Sequence, residues 1–252
     1  AMKVNNRASL SESRSVSQSD LMELTGNYSK SFADAHNLQL LAGISQEERK
    51  YNYISASGSK FENNDMSLLG QAQEDFGIGG SKTRSGLRSA FGRINYNYKL
   101  RYMAMASFRY DGSSRFATGN RWGFFPSVSL GWNIANENFW TNIKETVNTL
   151  KVRMSYGGLG NQNVSLYQYI PKLASNSSGL NYPFGGRDVS LGYAITSLPS
   201  ANIRWETTVY KNIGLDLGLF GNKLEISAEG YVKDTRDMLS DKEISSCTGY
   251  SH

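Results

Sequence analysis

The chain reads NIGLDLGL at residues 212–219, and this stretch is the clearest sign of how it folds. Ile213, Leu215 and Leu217 stand at alternate positions, and the residues between them are small or polar, such as Asp216. Successive side chains of a β-strand point to opposite faces of the sheet. The stretch therefore predicts a strand with one apolar face and one polar face.

The same alternation recurs along the chain, for example in TLKVRMSY at 149–156 and KLEISAEGYV at 223–232. We predict eight antiparallel strands, at residues 20–32, 37–55, 86–98, 101–111, 121–134, 149–157, 203–219 and 223–239. Short turns alternate with longer loops, which fall at 56–84, 112–120 and 158–202. Transmembrane barrels have short turns at one rim and long loops at the other. The pattern favours an all-β, up-and-down wall that forms part of a large transmembrane β-barrel.

Alternation alone leaves two structures open, because a soluble antiparallel sheet with one solvated face has the same period of two. Several predicted strands are long compared with the usual length of about 5 to 6 residues in globular proteins. Aromatic residues also lie near the predicted strand ends, as in the girdles at membrane interfaces. They are Tyr96, Tyr98, Tyr102 and Trp132 beside short turns, and Trp122, Phe124 and Phe125 at the predicted outer interface. Strand length and aromatic placement favour the membrane barrel.

The composition argues against several classes of protein. No apolar run approaches the roughly 18 to 20 residues that a transmembrane helix needs. Cys247 is the single cysteine, and His36 and His252 are the only histidines. We therefore predict no disulfide, metal site, other cofactor or catalytic triad, and hence no enzyme, while the role of Cys247 stays open. The net charge of +5 is scattered, without the basic cluster of a nucleic-acid-binding protein, so we expect no nucleic-acid partner.

Longer motifs carry a resemblance to a known family. They read FGRINYNY at 91–98, FRYDGSSRF at 108–116, RWGFFPSVSLGW at 121–132, LKVRMSYG at 150–157 and WETT at 205–208. In this order the motifs resemble the barrel of SusC/RagA-type TonB-linked (TonB-dependent) outer-membrane transporters. The resemblance covers most of residues 85–240, whereas the region before residue 85 matches only loosely.

The resemblance implies both a fold and a function. It implies part of a plugged transmembrane barrel of roughly 22 strands in the outer membrane of a Gram-negative bacterium. It also implies import of oligosaccharides (glycans) or peptides with energy from the TonB complex, and a SusD-like surface lipoprotein and outer-membrane lipid as further partners. On this basis residues 1–19 are expected to be a tag scar and polar lead-in. Residues 20–252 are expected to be a partial TonB-dependent-receptor barrel domain, without its plug domain and closing strands.

Two other functions stay open at this point. Eight strands are also enough for a complete small barrel, which would be an outer-membrane structural or adhesion protein. One-sided strands would equally suit a soluble β-sheet binding module excised from a surface protein. The motifs match the interior of a larger barrel, which favours the importer over both alternatives.

The longest predicted loop, at 158–202, carries candidate residues for contact with a ligand or with the lipoprotein lid. They are Tyr167, Tyr169, Tyr182, Phe184, Arg187 and Asp188. Aromatic rings offer flat faces on which sugars can stack, and Arg pairs with carboxylates. The same side chains could instead pack within the loop, so the sequence leaves both roles open.

Overall fold

The computed structural model of the protein describes residues 8–33, 35–63, 65, 68–175, 182–183, 189–190, 192–197 and 199–240. Its strands are β1 (Ser9–Phe32), β2 (His36–Ser59), β3 (Glu74–Tyr98), β4 (Tyr102–Ser113), β5 (Trp122–Asn133), β6 (Val147–Asn161), β7 (Lys172–Ser175), β8 (Tyr182–Pro183), β9 (Val189–Ser190), β10 (Tyr193–Ser197), β11 (Glu206–Leu219) and β12 (Leu224–Arg236). Eight of them form one sheet in the order β1-β2-β3-β4-β5-β6-β11-β12. The predicted all-β, up-and-down architecture of about eight strands is confirmed. Strands β1 and β12 are the edges of this sheet, and no pairing joins them among the residues described.

Short elements occupy the connections between the long strands. Within the connection from β6 to β11, β7 pairs with β10 and β8 pairs with β9, both antiparallel. The sequence had predicted a single loop over 158–202, and it missed these hairpins because strands of at most five residues carry too little alternation. Short 3-10 helices lie at Leu69–Gln71, Ile134–Asn136 and Asn138–Trp140. None of the helices in the described ranges is long and apolar enough to span a membrane.

The chain forms two compact units, the first made of residues 1–22 and 46–86 and the second of residues 23–45 and 87–252. In the first unit, β1 begins at Ser9, so the strand extends well into the segment that we expected to be a polar lead-in. Serine occupies every second position from residue 9 to residue 19. This segment therefore offers no continuous apolar face, which is why the apolar alternation did not reveal it.

In the second unit, the two faces of the sheet differ in chemistry. One face, called the apolar face, is formed by Tyr102, Ala104, Ala106, Phe108, Tyr110, Trp122, Phe124, Pro126, Val128, Leu130, Trp132, Met154, Tyr156, Ile213, Leu215 and Leu217. Its large side chains are exposed, for example Phe124 with 59% of its surface accessible. No other described residue of the second unit covers these large side chains. The predicted alternation is confirmed, and the opposite face carries mainly Ser, Gly, Asn and charged residues, with Met103, Met105 and Tyr210 among them.

Two rows of stacked aromatic rings bound the apolar face. At the end of the sheet where the short turns lie, one row consists of Phe32, His36, Tyr98, Tyr102 and Trp132. Neighbouring ring centroids in it are 4.8 to 6.4 Å apart. At the other end, Tyr110 stacks on Trp122 at 4.8 Å. Trp122 and Trp132 are ten positions apart on β5, which is about 33 Å along the strand, or about 25 Å in height once the strand tilts by about 40°. This is the height of the apolar band of transmembrane barrels.

Phe125 does not lie where the sequence analysis placed it. Trp122 and Phe124 are on the apolar face as predicted, but Phe125 is buried on the opposite face with 7% of its surface accessible. The expectation was wrong because neighbouring residues of a strand point to opposite faces, so Phe124 and Phe125 cannot share one interface. Pro126 pairs with Phe108 of β4 and lies just beyond the last pair of the β5–β6 ladder, where its missing N–H leaves no β6 partner unpaired.

Candidate functional site

The polar face of the second unit is the candidate functional site. It consists of Ser107 and Arg109 on β4, Ser127, Ser129 and Gly131 on β5, Lys151, Arg153, Ser155 and Gly157 on β6, Asn212, Gly214 and Asp216 on β11, and Ser227 and Glu229 on β12. An open cavity of about 590 Å³ lies against the sheet here, and its lining extends from Asn37 to Asn212. Two clusters on this face hold charged side chains in ion pairs, one around Arg153 and one around Arg109.

Arg153 is the centre of the first cluster. Its Nη2 donates to Glu229 Oε2 at 3.1 Å, and its Nε lies 3.4 Å from Asp216 Oδ2. Ser227 donates its hydroxyl to Asp216 Oδ1 at 2.7 Å, and Asn212 donates to Glu229. The guanidinium lies directly over Gly214, where an added Cβ would come within 2.7 Å of it. The cluster therefore links β6, β11 and β12, and its side chains lean towards β12.

Arg109 is the centre of the second cluster. Its Nε donates to Asp111 at 2.9 Å, and its Nη2 donates to the Ser89 hydroxyl at 2.8 Å. The guanidinium also lies 5.6 Å from the centre of the Phe91 ring, within the range of a cation–π contact. Ser89 and Phe91 belong to β3, so Arg109 leans towards β3 and away from β5.

A run of small residues lies between the two clusters, with Arg93 of β3 opposite its first member, Ser107. It consists of Ser107, Ser127, Ser129, Ser155 and Gly157, and we call it the serine strip. The register places Ser107 opposite Ser127, Ser127 opposite Gly157 and Ser129 opposite Ser155, so the strip crosses β4, β5 and β6 without interruption. No side-chain hydrogen bond to another described residue engages any of its four hydroxyl groups. All four residues keep part of their surface accessible.

An aromatic cluster closes the polar face at the end of the long loops. Phe116, Phe125 and Trp205, called the rim core, are buried together, and Phe116 has no accessible surface. The Trp205 ring lies 5.3 Å from both phenylalanine rings. Gly123 and Gly160 make room for the Phe125 ring, because a Cβ at either position would overlap it. A packed core of this kind gives the loop ends a fixed position.

Hydrogen bonds extend the rim core into two loops. Trp205 Nε1 donates to the main-chain oxygen of Arg121 at 2.8 Å, and Arg121 Nε donates to the oxygen of Phe116 at 3.2 Å. Arg115 Nη1 donates to the oxygen of Val164 at 2.5 Å. The loop between β4 and β5 is thereby fastened to both ends of the connection between β6 and β11.

The structure describes only part of the predicted loop site. Tyr167 and Tyr169 lie in turns just after Val164, Tyr167 with a positive φ of 65° and 38% of its surface accessible, Tyr169 partly buried. Tyr182 contributes its backbone to the β8–β9 hairpin, and its side chain lies outside the described part of the chain. Phe184, Arg187 and Asp188 lie outside the described residues, as does Cys247. A shared ligand site for the six residues stays a prediction.

The sequence analysis missed the rim core and the serine strip. Trp205 and Phe116 are far apart in sequence, and no local pattern shows that they meet. The sequence does carry a sign of the strip, because β5 and β6 have Ser or Gly at successive positions of the polar face, as in Ser127, Ser129 and Gly131.

At the end of the short turns, Glu137 holds two connections together. Trp132 Nε1 donates to its Oε1 at 3.1 Å and Arg101 Nη1 to its Oε2 at 3.3 Å, and the Tyr102 hydroxyl also donates to it. The Tyr102 and Trp132 hydrogen bonds, with the nearby Arg101 charge, hold the pKa of Glu137 below its ordinary value, and partial desolvation opposes them. Glu137 lies between two 3-10 helices, outside the strands.

No metal centre is evident in the described part of the chain, where no group of three or more Asp, Glu, His or Cys side chains is placed to hold an ion. The polar face offers hydroxyl groups and the ion-paired charges of the two clusters.

Comparison with known proteins agrees with this arrangement of a one-sided sheet and a polar face. Residues 3–251 match the family model described as TonB dependent receptor-like, beta-barrel. The chain belongs to this family. The chain is 39% identical over 173 residues to the TonB-dependent receptor SusC of Bacteroides thetaiotaomicron. This alignment covers 67% of the chain and 17% of that protein. The chain is 36% identical over 229 residues to the TonB-dependent receptor P39 of Formosa agariphila, covering 90% of the chain and 21% of that protein.

Solved structures give the same assignment. The protein superposes on a chain of the RagAB peptide transporter with a TM-score of 0.83 and 28% identity. The superposition covers 97% of this protein and 26% of the transporter chain. The 'open-open' state of the RagAB peptide importer gives a TM-score of 0.82. The predicted SusC/RagA relationship is confirmed. The chain spans 17% of the length of SusC and 21% of the length of P39.

Proposed function

We propose that this chain forms a section of the barrel wall of an outer-membrane importer. Glycans or peptides would enter a Gram-negative cell through that importer, with energy transmitted by TonB. The observation that carries this proposal is the exposed apolar face, which has stacked aromatic rings at both ends and a polar face behind it. A wall between lipid and a wet interior needs this division. Membership of the TonB-dependent receptor family supports the same function.

The short turns then face the periplasm and the long loops face the outside of the cell, as in other transmembrane barrels. The rim core lies at the outer end, where a SusD-like surface lipoprotein would meet the barrel. The TonB complex would act through the N-terminal region of the full-length parent protein. Relatives in this family are transporters, and we propose no enzymatic step for the chain.

The two other functions have less support. A complete barrel of eight strands would pair β1 with β12, and the described parts of these strands are not paired. A soluble sheet would cover its apolar face, whereas Val128, Leu130 and Ile213 are about half exposed.

The proposal is tested in the source bacterium by deleting the gene of the full-length parent protein. The strain is grown on a panel of single glycans and peptide mixtures as the carbon source, with and without the complementing gene. We expect growth to fail on one nutrient, to return on complementation, and to fail likewise when TonB is removed. Normal growth of the deletion strain on every nutrient, or import that does not need TonB, would contradict the proposal.

A further inference from the structure

We propose that the connections at 99–101, 134–146 and 220–223 bind a phospholipid surface through four apolar side chains outside the long strands. These side chains are Leu100, Phe139, Ile143 and Phe220, which we call the turn patch. Lysines beside the patch would contact the headgroup phosphates. The inference rests on the wall in the membrane proposed above, and it adds an anchoring site in the phospholipid leaflet on the periplasmic side.

The side chains of the turn patch are large, apolar and exposed, with 47% to 66% of their surface accessible. Turns that lie in water are built mainly from small and polar residues. A single exposed apolar residue needs no explanation. Here, however, the three connections join successive strand pairs of one sheet, β3–β4, β5–β6 and β11–β12, and each presents at least one such residue. The feature therefore recurs along this end of the sheet.

The backbone at Leu100 gives an independent reason to look for a contact. The turn at 98–101 is closed by the N–H of Arg101, which donates to the oxygen of Tyr98 at 2.8 Å. Its two central residues, Lys99 and Leu100, have positive φ angles of 50° and 54°. Turns with two such residues favour Asn and Gly, because a larger side chain strains the backbone there. Leucine is therefore costly at this position both for its conformation and for its exposure.

The same combination occurs at Phe220. Its φ is 54°, and the two residues that follow it, Gly221 and Asn222, also have positive φ. Gly and Asn suit that conformation, whereas Phe does not. Two bulky apolar residues thus occupy strained turn positions in two different connections. Strained positions of this kind point to a function, and a surface that receives the side chains supplies one.

Hydrogen bonds hold the three connections in one arrangement. Asn136 Nδ2 donates to the main-chain oxygen of Leu100 at 3.1 Å, which joins the first connection to the second. The N–H of Phe220 donates to the main-chain oxygen of Thr146 at 2.9 Å, which joins the second to the third. The backbone of the turn patch is therefore ordered before any partner binds, so binding costs less conformational entropy.

Positive charge accompanies the patch. Lys99, Lys144 and Lys223 are exposed, one in each connection, and none of them forms an ion pair with another described residue. The connections contain two acidic residues, and one of these, Glu137, is paired with Arg101. Apolar side chains beside lysines are the combination by which interfacial segments bind phosphate-bearing membrane surfaces. A lysine stem can follow the apolar surface while its ammonium group reaches a phosphate.

A lipid leaflet fits this surface better than a protein partner. The connection at 134–146 adjoins the aromatic row of the apolar face, because Tyr102 and Trp132 both donate hydrogen bonds to Glu137. Tyr and Trp rings are typical of the membrane–water interface. The turn patch is therefore continuous with the face that meets lipid in the proposed wall. Its four side chains are also far fewer than the roughly 20 to 30 residues that each side of a specific protein interface contributes.

The test uses the full-length parent protein with its native cysteines, Cys247 among them, replaced by serine. Phe139→Cys or Phe220→Cys then carries an NBD fluorophore, in vesicles of phosphatidylethanolamine and phosphatidylglycerol. Nitroxide lipids quench the dye from within the bilayer, near the headgroup or deep in the acyl chains, and iodide quenches it from water. Asn142→Cys, an exposed polar position in the same connection, is the matched control, and Val128→Cys on the apolar face reports deep lipid.

We expect the shallow nitroxide to quench both patch positions several-fold more than the deep one does. Iodide should quench them several-fold less than it quenches Asn142→Cys. At Val128→Cys the deep nitroxide should be the stronger quencher. Iodide quenching at Phe139→Cys and Phe220→Cys that equals the quenching at Asn142→Cys would overturn the inference.

A second arm identifies the partner in cells. p-Benzoylphenylalanine replaces Phe139 or Phe220 in the parent protein in the outer membrane, which keeps an aromatic ring at each position. We expect irradiation to add the mass of a phospholipid at both positions. A discrete protein adduct in place of the lipid adduct would show that the patch binds a protein, and the inference would be wrong.

The outcomes separate this inference from the proposed function. If Val128→Cys is not quenched by the deep nitroxide, the apolar face does not lie in lipid and the proposed wall itself is contradicted. If Val128→Cys is quenched as expected but the patch positions behave like Asn142→Cys, only the turn patch is wrong. Should the labelled variants fail to insert into vesicles, the cross-links formed in cells decide.

Discussion

Trp205 and Arg121 are joined by a hydrogen bond in which the indole Nε1 donates to the main-chain oxygen over 2.8 Å. The bond connects residues that are far apart in sequence, and it is shielded by Phe116 and Phe125. It fastens the loop between β4 and β5 to the end of the long connection that leads into β11. The outer rim therefore has a fixed base from which the more distant loop residues extend.

Removing this bond should loosen the rim without unfolding the wall. In the full-length parent protein, Trp205→Phe keeps an aromatic ring and removes only the indole donor, because the Ser113 N–H still donates to the Arg121 oxygen at 2.9 Å. The loss should therefore be that of one hydrogen bond, about 0.5 to 1.5 kcal/mol. Trp205→Ala also removes buried ring area and should cost about 3 to 5 kcal/mol. The measurements are the urea midpoint and the rate of trypsin cleavage within residues 162–205. Trp122→Phe, which changes an exposed ring, is the control. If both substitutions changed the midpoint and the cleavage rate equally, the Trp205 hydrogen bond would not stabilise the two loops.

The space around Phe125 gives a second prediction. Gly160→Ala would place a methyl group inside the Phe125 ring, which Phe116 and Trp205 prevent from turning aside. We expect a loss of about 1 to 3 kcal/mol from this overpacking. Gly158→Ala is a matched control, because its Cβ would lie 3.8 Å from Pro126, an ordinary contact. Thermal unfolding of both variants in detergent checks the difference, which should be absent if the ring can move.

Much of the fold could be predicted from the sequence, because a sheet with one apolar and one polar face imposes a period of two on its strands. Ile213, Leu215 and Leu217 show it, and their strand lies within the predicted range. The pattern failed where its physical cause is missing. Residues 9–19 form a strand whose alternate residues are serines, so an apolar signal could not reveal it.

The candidate site was predictable only in part. That the polar face carries Arg153 and Asp216 follows from alternation, but their partners depend on how far each side chain leans across the sheet. Phe125 was misplaced because aromatic character was given more weight than its position in the strand. The meeting of Phe116 with Trp205 depends on tertiary folding of two loops, and local sequence carries no sign of it.

The Arg153 cluster should contribute less than its three charges suggest. Arg153, Asp216 and Glu229 each keep about a third or more of the side chain exposed, so solvent screens their attraction. Arg153→Met should lower the urea midpoint only slightly, and Asp216→Asn in the same background should restore part of the loss by relieving carboxylate repulsion. A double-mutant cycle on urea midpoints measures this coupling. Lys151→Met is the control for removing a cation. If Asp216→Asn raised the urea midpoint equally in the protein that keeps Arg153, the two side chains would not be coupled.

The end of the sheet that carries the short turns should lose stability in acid, because Glu137 becomes protonated there. Its pKa in the folded protein lies below the ordinary carboxyl value, chiefly because Tyr102 and then Trp132 donate hydrogen bonds to it. A carboxylate whose pKa is lowered on folding stabilises the protein above its unfolded pKa, and this contribution is lost as the pH falls through the lower, folded pKa. We therefore expect the urea midpoint of the full-length parent protein to fall on acidification below the ordinary Glu range.

Glu137→Gln isolates this effect, since the amide keeps the shape but cannot ionise. Near neutral pH the variant should be less stable than the parent protein, because Arg101 loses its charged partner. The difference should shrink as the pH falls, because the parent protein then loses the same interaction by protonation. Glu145→Gln, in the same connection, controls for removing a carboxylate as such. A stability difference between Glu137→Gln and the parent that stays constant from neutral to acid pH would show that the carboxylate of Glu137 does not hold the turns together.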